Sequence, residues 1–163
     1  MKKSTILILA LVFLGSVVVV GIFGMQSVPF NERVYIEKIT LSGVTSSTGT
    51  QIKLIDQGNN KYSTSFINEW IPDDQEALIL MVDYYLSPAD ASNKDIDVSV
   101  TYVSVTDPVE DVAVINGNQI FIKQPANITI RFTAKDKPNA AKVDLSIVFS
   151  EEVAWYYYNN HKK

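Results

Sequence analysis

The sequence predicts an all-β fold, an antiparallel sandwich of two sheets preceded by one N-terminal transmembrane helix. Three observations carry this. The chain opens on an unbroken apolar run from about Ile6 to Met25. After that run, apolar and polar residues alternate with a period of two, which is the strand period. Turn signals built from Gly, Asn and Pro then recur every ~8–15 residues with no helical period between them, which favours hairpins over crossover helices.

Lys2 and Lys3 precede the apolar run, and no charged residue follows until Glu32. At ~1.5 Å per helical residue, a run of this length spans the ~30 Å hydrocarbon core of a bilayer. The positive flank lies on the N-terminal side, so the positive-inside rule puts Met1 in the cytoplasm and everything after Met25 outside. The predicted location is therefore the cell membrane, single-pass, with the C-terminal domain extracellular. A secretory signal peptide is the competing reading. Its apolar stretch is ordinarily ~7–15 residues long. Here Val17 to Val20 extends the run without a polar break, which favours an uncleaved anchor, while the small and polar residues from Gly21 to Ser27 leave cleavage open. The chain has no cysteine, which removes a lipid anchor through Cys and any disulfide, although the compartment would permit disulfides.

Residues 26–32, with Pro29 among them, read as a short linker, residues 33–150 as one sandwich, and residues 151–163 as an aromatic and basic tail. About 120 residues is a common size for a single domain with its own core. Setting Lys2 and Lys3 aside leaves 12 basic against 18 acidic residues outside the membrane. That acidic balance argues against nucleic acid or anionic lipid as a partner of the exported part.

Val34 to Ser42, rich in β-branched and aromatic residues, predicts a strand stopped by Gly43. Gln51 to Asp56 and Tyr62 to Ile67 flank Gln57-Gly-Asn-Asn60, a hairpin signal. Glu76 to Leu86 holds a continuous apolar stretch, Ala77 to Val82, that fits a buried helix segment or a strand buried on both faces. The strands around it favour the strand. Ile96, Val98, Val100 and Tyr102 alternate with polar residues, as do Ile128, Ile130 and Phe132, and again Val143, Leu145, Ile147 and Phe149. Between them, Val112 to Ile115 and Asn118 to Ile122 flank Asn116-Gly117, whose residue types suit the two positive-φ positions of a type I′ turn.

The stretch Val82 to Phe149, under half of the chain, resembles the bacterial immunoglobulin-like domains of the group-2 type. The resemblance rests on Pro88-Ala-Asp-Ala-Ser-Asn93 after an alternating strand, on the strand, Asn-Gly turn and strand from Val112 to Ile122, on Ala126-Asn-Ile-Thr-Ile-Arg-Phe-Thr-Ala134, and on the final strand Lys142 to Phe149. The sequence departs from the pattern at Tyr102, the aromatic nearest the usual Trp, and at Pro125, where a Gly is expected. The resemblance implies a single immunoglobulin-like β-sandwich on a surface or secreted protein.

Catalytic chemistry has little to work with. Without cysteine there is no thiol nucleophile, zinc–thiolate site or redox pair. The single His, His161, is the third residue from the end, where a Ser-His-Asp relay is poorly served, and one His cannot make a two-histidine zinc motif. There is no Gly-rich phosphate loop. Acids are numerous enough for a glycosidase-type carboxylate pair, but a solvated acidic surface is the plainer reading. No enzyme, cofactor or metal is expected. The carboxylates of Asp107, Glu110 and Asp111, with Asp90 and Asp95 on another loop, are the hard oxygen ligands calcium prefers, but their spacing fits an acidic turn around Pro108 better.

The tail carries the candidate binding residues Trp155, Tyr156, Tyr157 and Tyr158. Exposed, they would form a recognition surface for a sugar, a protein partner or the membrane interface. Alternatively, Val153 and Trp155 extend the last strand and close the sandwich edge. Trp70 reads as a plug under a turn, and Asn127-Ile-Thr129 matches a glycosylation sequon placed in a strand. Together these features predict a membrane-anchored extracellular protein with a non-catalytic adhesion, scaffolding or surface-assembly role. The bilayer would be its partner through Ile6 to Met25, with a surface protein or glycan as a second partner, reached through edge strands or end loops such as Thr106 to Asp111 and Pro88 to Asp95. Two other readings are a carbohydrate-binding module secreted after cleavage of the run, and an accessory subunit of a membrane export or filament machine.

Overall fold

The computed structural model describes residues 6, 8, 11–13, 32–69, 76–104 and 112–161. The chain divides into two compact units, Met1–Glu32 and Arg33–Lys163. In the first, Ile6, Ile8, Leu11, Val12 and Phe13 are helical and exposed. The rest of the stretch from Ile6 to Met25 lies outside the described residues, and among those described no helix is long and apolar enough to cross a membrane.

Among the described residues, the second unit is built from β1 (Lys38–Ser46), β2 (Gln51–Ile52), β3 (Leu54–Gly58), β4 (Lys61–Thr64), β5 (Leu78–Ser87), β6 (Ile96–Ser104), β7 (Ala113–Asn116), β8 (Gln119–Ile122), β9 (Asn127–Ala134), β10 (Lys142–Ile147) and a helix, α1 (Glu151–His161). The strands form two five-stranded sheets with orders β2-β1-β5-β8-β7 and β3-β4-β10-β9-β6. The alternation explains the layering. Ile39, Leu41, Leu78, Leu80, Val82, Ile120 and Ile122 from one sheet share a single core with Ile128, Ile130, Phe132, Val143, Leu145 and Ile147 from the other. Each such side chain contributes about 1.5–3 kcal/mol by leaving water.

The structure corrects the sequence reading in several places. β5 is a strand, but only one of its faces is buried: Leu78, Leu80 and Val82 point inward while Ile79 and Met81 face outward. Gly43 does not stop β1. The register shifts between Leu41 and Gly43, and this bulge keeps Ile39 and Leu41 on the same inward face as Val44. Gln51 to Asp56 is two strands in different sheets, because Ile52 and Leu54 both pack on the core from either side of Lys53. The pairing is also not wholly antiparallel, since β4 runs parallel to β10. The buried Thr64 fastens that seam, its hydroxyl donating to the Ser146 carbonyl (3.4 Å) and accepting from the Val148 amide (3.1 Å).

Both hairpins form. In β3–β4 the central residues Asn59 (φ 53°) and Asn60 (φ 58°) are both left-handed, the type I′ pattern. In β7–β8 the closing pair is Asn116↔Gln119, so the central residues are Gly117 and Asn118, one position later than expected. Only Gly117 (φ 63°) is left-handed, as in a type II′ turn. Burial sets this register: Ile120 and Ile122 must face the core, and they pair with Ile115 and Ala113.

Chain entry and α1 lie at opposite ends of the strands. At the entry end, the Glu37 amide donates to the Ser87 carbonyl, Val34 and Ser92 exchange bonds, and the Asp136 carboxylate accepts from the Ile36 amide. β10 starts at that end, where Lys142 pairs with Thr133, and runs away from it to Ile147. α1 follows from there.

Candidate functional site

The tail is an α-helix and not an extension of the last strand, so Val153 and Trp155 do not close a sheet edge. Ser150 caps its N-terminus: its hydroxyl accepts from the Val153 amide at 3.3 Å, and its carbonyl accepts from the Ala154 amide at 3.1 Å. Glu151 and Glu152 place negative charge in the first turn, where the helix dipole favours it. The Asn159 and Asn160 side-chain amides donate to the carbonyls of Trp155 and Tyr156, both at 2.8 Å.

Two residues four apart fix this helix to the sandwich. Val153 is buried in the core, and Tyr157 packs against it. The Tyr157 hydroxyl donates to the Lys123 carbonyl, just beyond β8, at 2.9 Å. Burial raises the Tyr157 phenol above its ordinary pKa, with Tyr158 beside it adding to the effect. Of the four expected binding residues, Tyr157 is therefore an anchor. The others face outward: Trp155 is 71% exposed, and Tyr156 and Tyr158 are exposed as well. At ~100° per residue, Trp155 stands roughly opposite Val153. Tyr158 meets the Tyr157 ring edge-on, with centroids 5.9 Å apart. Glu151, Glu152, Trp155 and Tyr156 line a shallow open groove whose walls are aromatic and acidic.

A second apolar surface escaped the sequence reading. On the outward face of β5, β8 and β7, Ile79 pairs with Phe121 and Phe121 with Val114, and this row floors a groove bordered by Glu76, Asn116 and Lys123. Its only signal in the sequence was the apolar residue at successive positions of Ala77 to Val82, which leaves one set facing out.

Trp70, Asp107, Glu110 and Asp111 lie outside the described residues. Among those described, no group of three or more His, Asp or Glu side chains is gathered as a metal ion would need. The loop holding Asp90 and Asp95 sits at the entry end, where the Asp95 carbonyl accepts from the Lys135 amide. Asn127 opens β9 as an exposed strand residue. Among the described residues the best-formed ion pair, Arg131 with Asp144, joins directly opposed residues of β9 and β10 by two bonds of 2.7 and 2.9 Å. The bond from Arg131 holds the Asp144 carboxyl below the usual carboxylate range against the opposing effect of burial. Its place across a strand pair makes it a structural tie.

No protein-family model matches the chain, and no curated protein matches it significantly.

Proposed function

We propose that this chain is a membrane-anchored, outward-facing protein with one immunoglobulin-like sandwich and a non-catalytic role in adhesion, scaffolding or surface assembly. The strand order carries the reading. β1, β5, β8 and β7 follow the A-B-E-D order of one immunoglobulin sheet, and β6, β9 and β10 follow the C-F-G order of the other. β4 lies parallel beside β10, and β2 and β3 are additions. The anchor rests on Lys2, Lys3 and the apolar run. Within the second unit the chain enters at one end of the strands and α1 lies at the other, with Trp155 exposed. Fold alone names no function. The display role rests on this opposition of entry and aromatic helix.

Intact-protein mass spectrometry on membrane and medium fractions tests it. A full-length species confined to membranes is expected, and a species in the medium lacking about the first 25 residues refutes the anchor.

The exposure of Trp155 also favours a second reading, a secreted carbohydrate-binding module. Helical geometry weakens it: Trp155 and Tyr156 project ~100° apart and Tyr157 turns inward, so the cluster is not a flat stacking platform.

A further inference from the structure

The chain holds eleven asparagines, and only Asn127 has a Ser or Thr two places on with a residue other than Pro between them. Asn-X-Ser/Thr is the acceptor motif for asparagine-linked sugars, the hydroxyl being what a transferring enzyme reads beside the amide. In β9 the strand period puts Asn127 and Thr129 on one side and turns Ile128 inward, where it is buried. Asn127 is exposed, and among the described residues no hydrogen bond holds its side-chain amide. It opens the strand: it is paired with Ser104 of β6, whereas the pairing with β10 reaches only to Ile128.

We propose that Asn127 is a modification site carrying an asparagine-linked glycan, which projects from the outer face of the β3-β4-β10-β9-β6 sheet. The inference rests on the outward-facing reading above, because the sugar is added to the exported part of the chain. The donor is a saccharide held through its C1 on a lipid phosphate. Asn127 Nδ2 attacks C1: the N–C1 bond forms, the bond from C1 to the phosphate oxygen breaks, the lipid phosphate leaves with the electron pair, and one amide proton passes to a base of the transferase. Thr129 sets the timing. In the folded strand it is half-buried, with its hydroxyl 3.5 Å from that of Ser146, so an enzyme reads it only before β9 and β10 pair. The finished fold then has only to leave Asn127 in water, and it does. The surface beside it suits a sugar as well. The outward residues of β9 and β10 oppose one another as Thr129 with Ser146, Arg131 with Asp144 and Thr133 with Lys142, polar throughout. The outer face of the other sheet carries Ile79, Phe121 and Val114 instead. A glycan on Asn127 therefore covers a face with no apolar contact to offer and leaves the apolar groove on the opposite face open.

The test recovers the full chain from its native cells in detergent and compares its intact mass with that of its variants, far-UV circular dichroism confirming that each has folded. A mass above that of the polypeptide is expected, with the excess confined to the tryptic peptide of residues 124–131 and releasing sugar fragments on collisional activation. Asn127→Gln and Thr129→Ala should each abolish the excess, while Thr129→Ser, which keeps the hydroxyl, should retain it. A chain at its polypeptide mass overturns the proposal. So does an excess that survives Asn127→Gln or lies on another peptide. A Trp155→Cys thiol offered an impermeant maleimide on the same cells separates the two ways of failing. An unmodified chain labelled on intact cells overturns the glycan alone and leaves the outward-facing reading standing. An unmodified chain labelled only after lysis overturns both.

Discussion

Substitution of Val153 by alanine separates a helix docked as part of the domain from one merely appended to it. Val153 is 2% exposed and belongs to the shared core, so the change removes two buried carbons. At ~0.8 kcal/mol per buried carbon this costs about 1.6 kcal/mol, and incomplete collapse of the cavity brings it to about 2 kcal/mol. Alanine is the better helix former by ~0.5 kcal/mol, leaving a net loss of about 1.5 kcal/mol. That opposition makes the test diagnostic, because a stability loss cannot then come from helix propensity. Tyr157→Phe removes only the bond to the Lys123 carbonyl and should cost a further ~0.5–1 kcal/mol. Urea unfolding of the full chain in mild detergent, read by circular dichroism and by tryptophan fluorescence, is the assay. With a slope near 1.5 kcal/mol per molar urea, Val153→Ala should lower the midpoint by about 1 M, and the two probes should stay coincident. An unchanged midpoint, or a fluorescence transition that separates from the sheet signal, would refute the docking of α1.

Three further outcomes follow from local geometry. Asp144 has a carboxyl pKa lowered in the folded state by Arg131, so the pair's contribution is present above the unfolded value, near pH 3.9, and is lost as pH falls through the lower folded value. Asp144→Asn should cost at most ~1 kcal/mol at pH 7, since the Arg131 side chain is 41% exposed, and the difference from wild type should shrink in a urea series as the pH is lowered through the folded-state value. Gly117→Ala places a Cβ at φ 63° with no steric neighbour, so only backbone strain is felt; a loss of ~1 kcal/mol in thermal unfolding is expected. Asn60→Gly, at φ 58° in the type I′ turn, should leave stability unchanged or raise it by a few tenths of a kcal/mol, whereas Asn60→Val should lower it by more than ~1 kcal/mol.

Much of the sandwich was legible because one buried face forces a period of two, and Ile128, Ile130 and Phe132 or Val143, Leu145 and Ile147 keep it without a break. What local pattern does not encode is direction and partner. The parallel β4–β10 pair and the split at Lys53 depend on which sheet each strand joins, and the shift of the turn to Gly117-Asn118 on how Ile115 and Ile120 meet across it. α1 was hidden by composition: Val153, Trp155 and three tyrosines are indifferent helix formers, and in sequence Val153 and Trp155 continue the alternation of β10. The available signal was the cap, Ser150 followed by Glu151 and Glu152. The aromatic cluster itself was readable as a candidate surface. Which of its members turns inward was not, because that follows from the helical period and from the position of the Lys123 carbonyl.

The most direct test of the account exploits the absence of cysteine from the chain. A Trp155→Cys variant carries a single thiol on the exposed face of α1, and a membrane-impermeant maleimide can be offered to it on intact cells and again after lysis. Labelling of the full-length, membrane-retained protein on intact cells is the predicted result. Labelling only after lysis would place α1 inside and contradict the outward-facing display on which the functional reading depends.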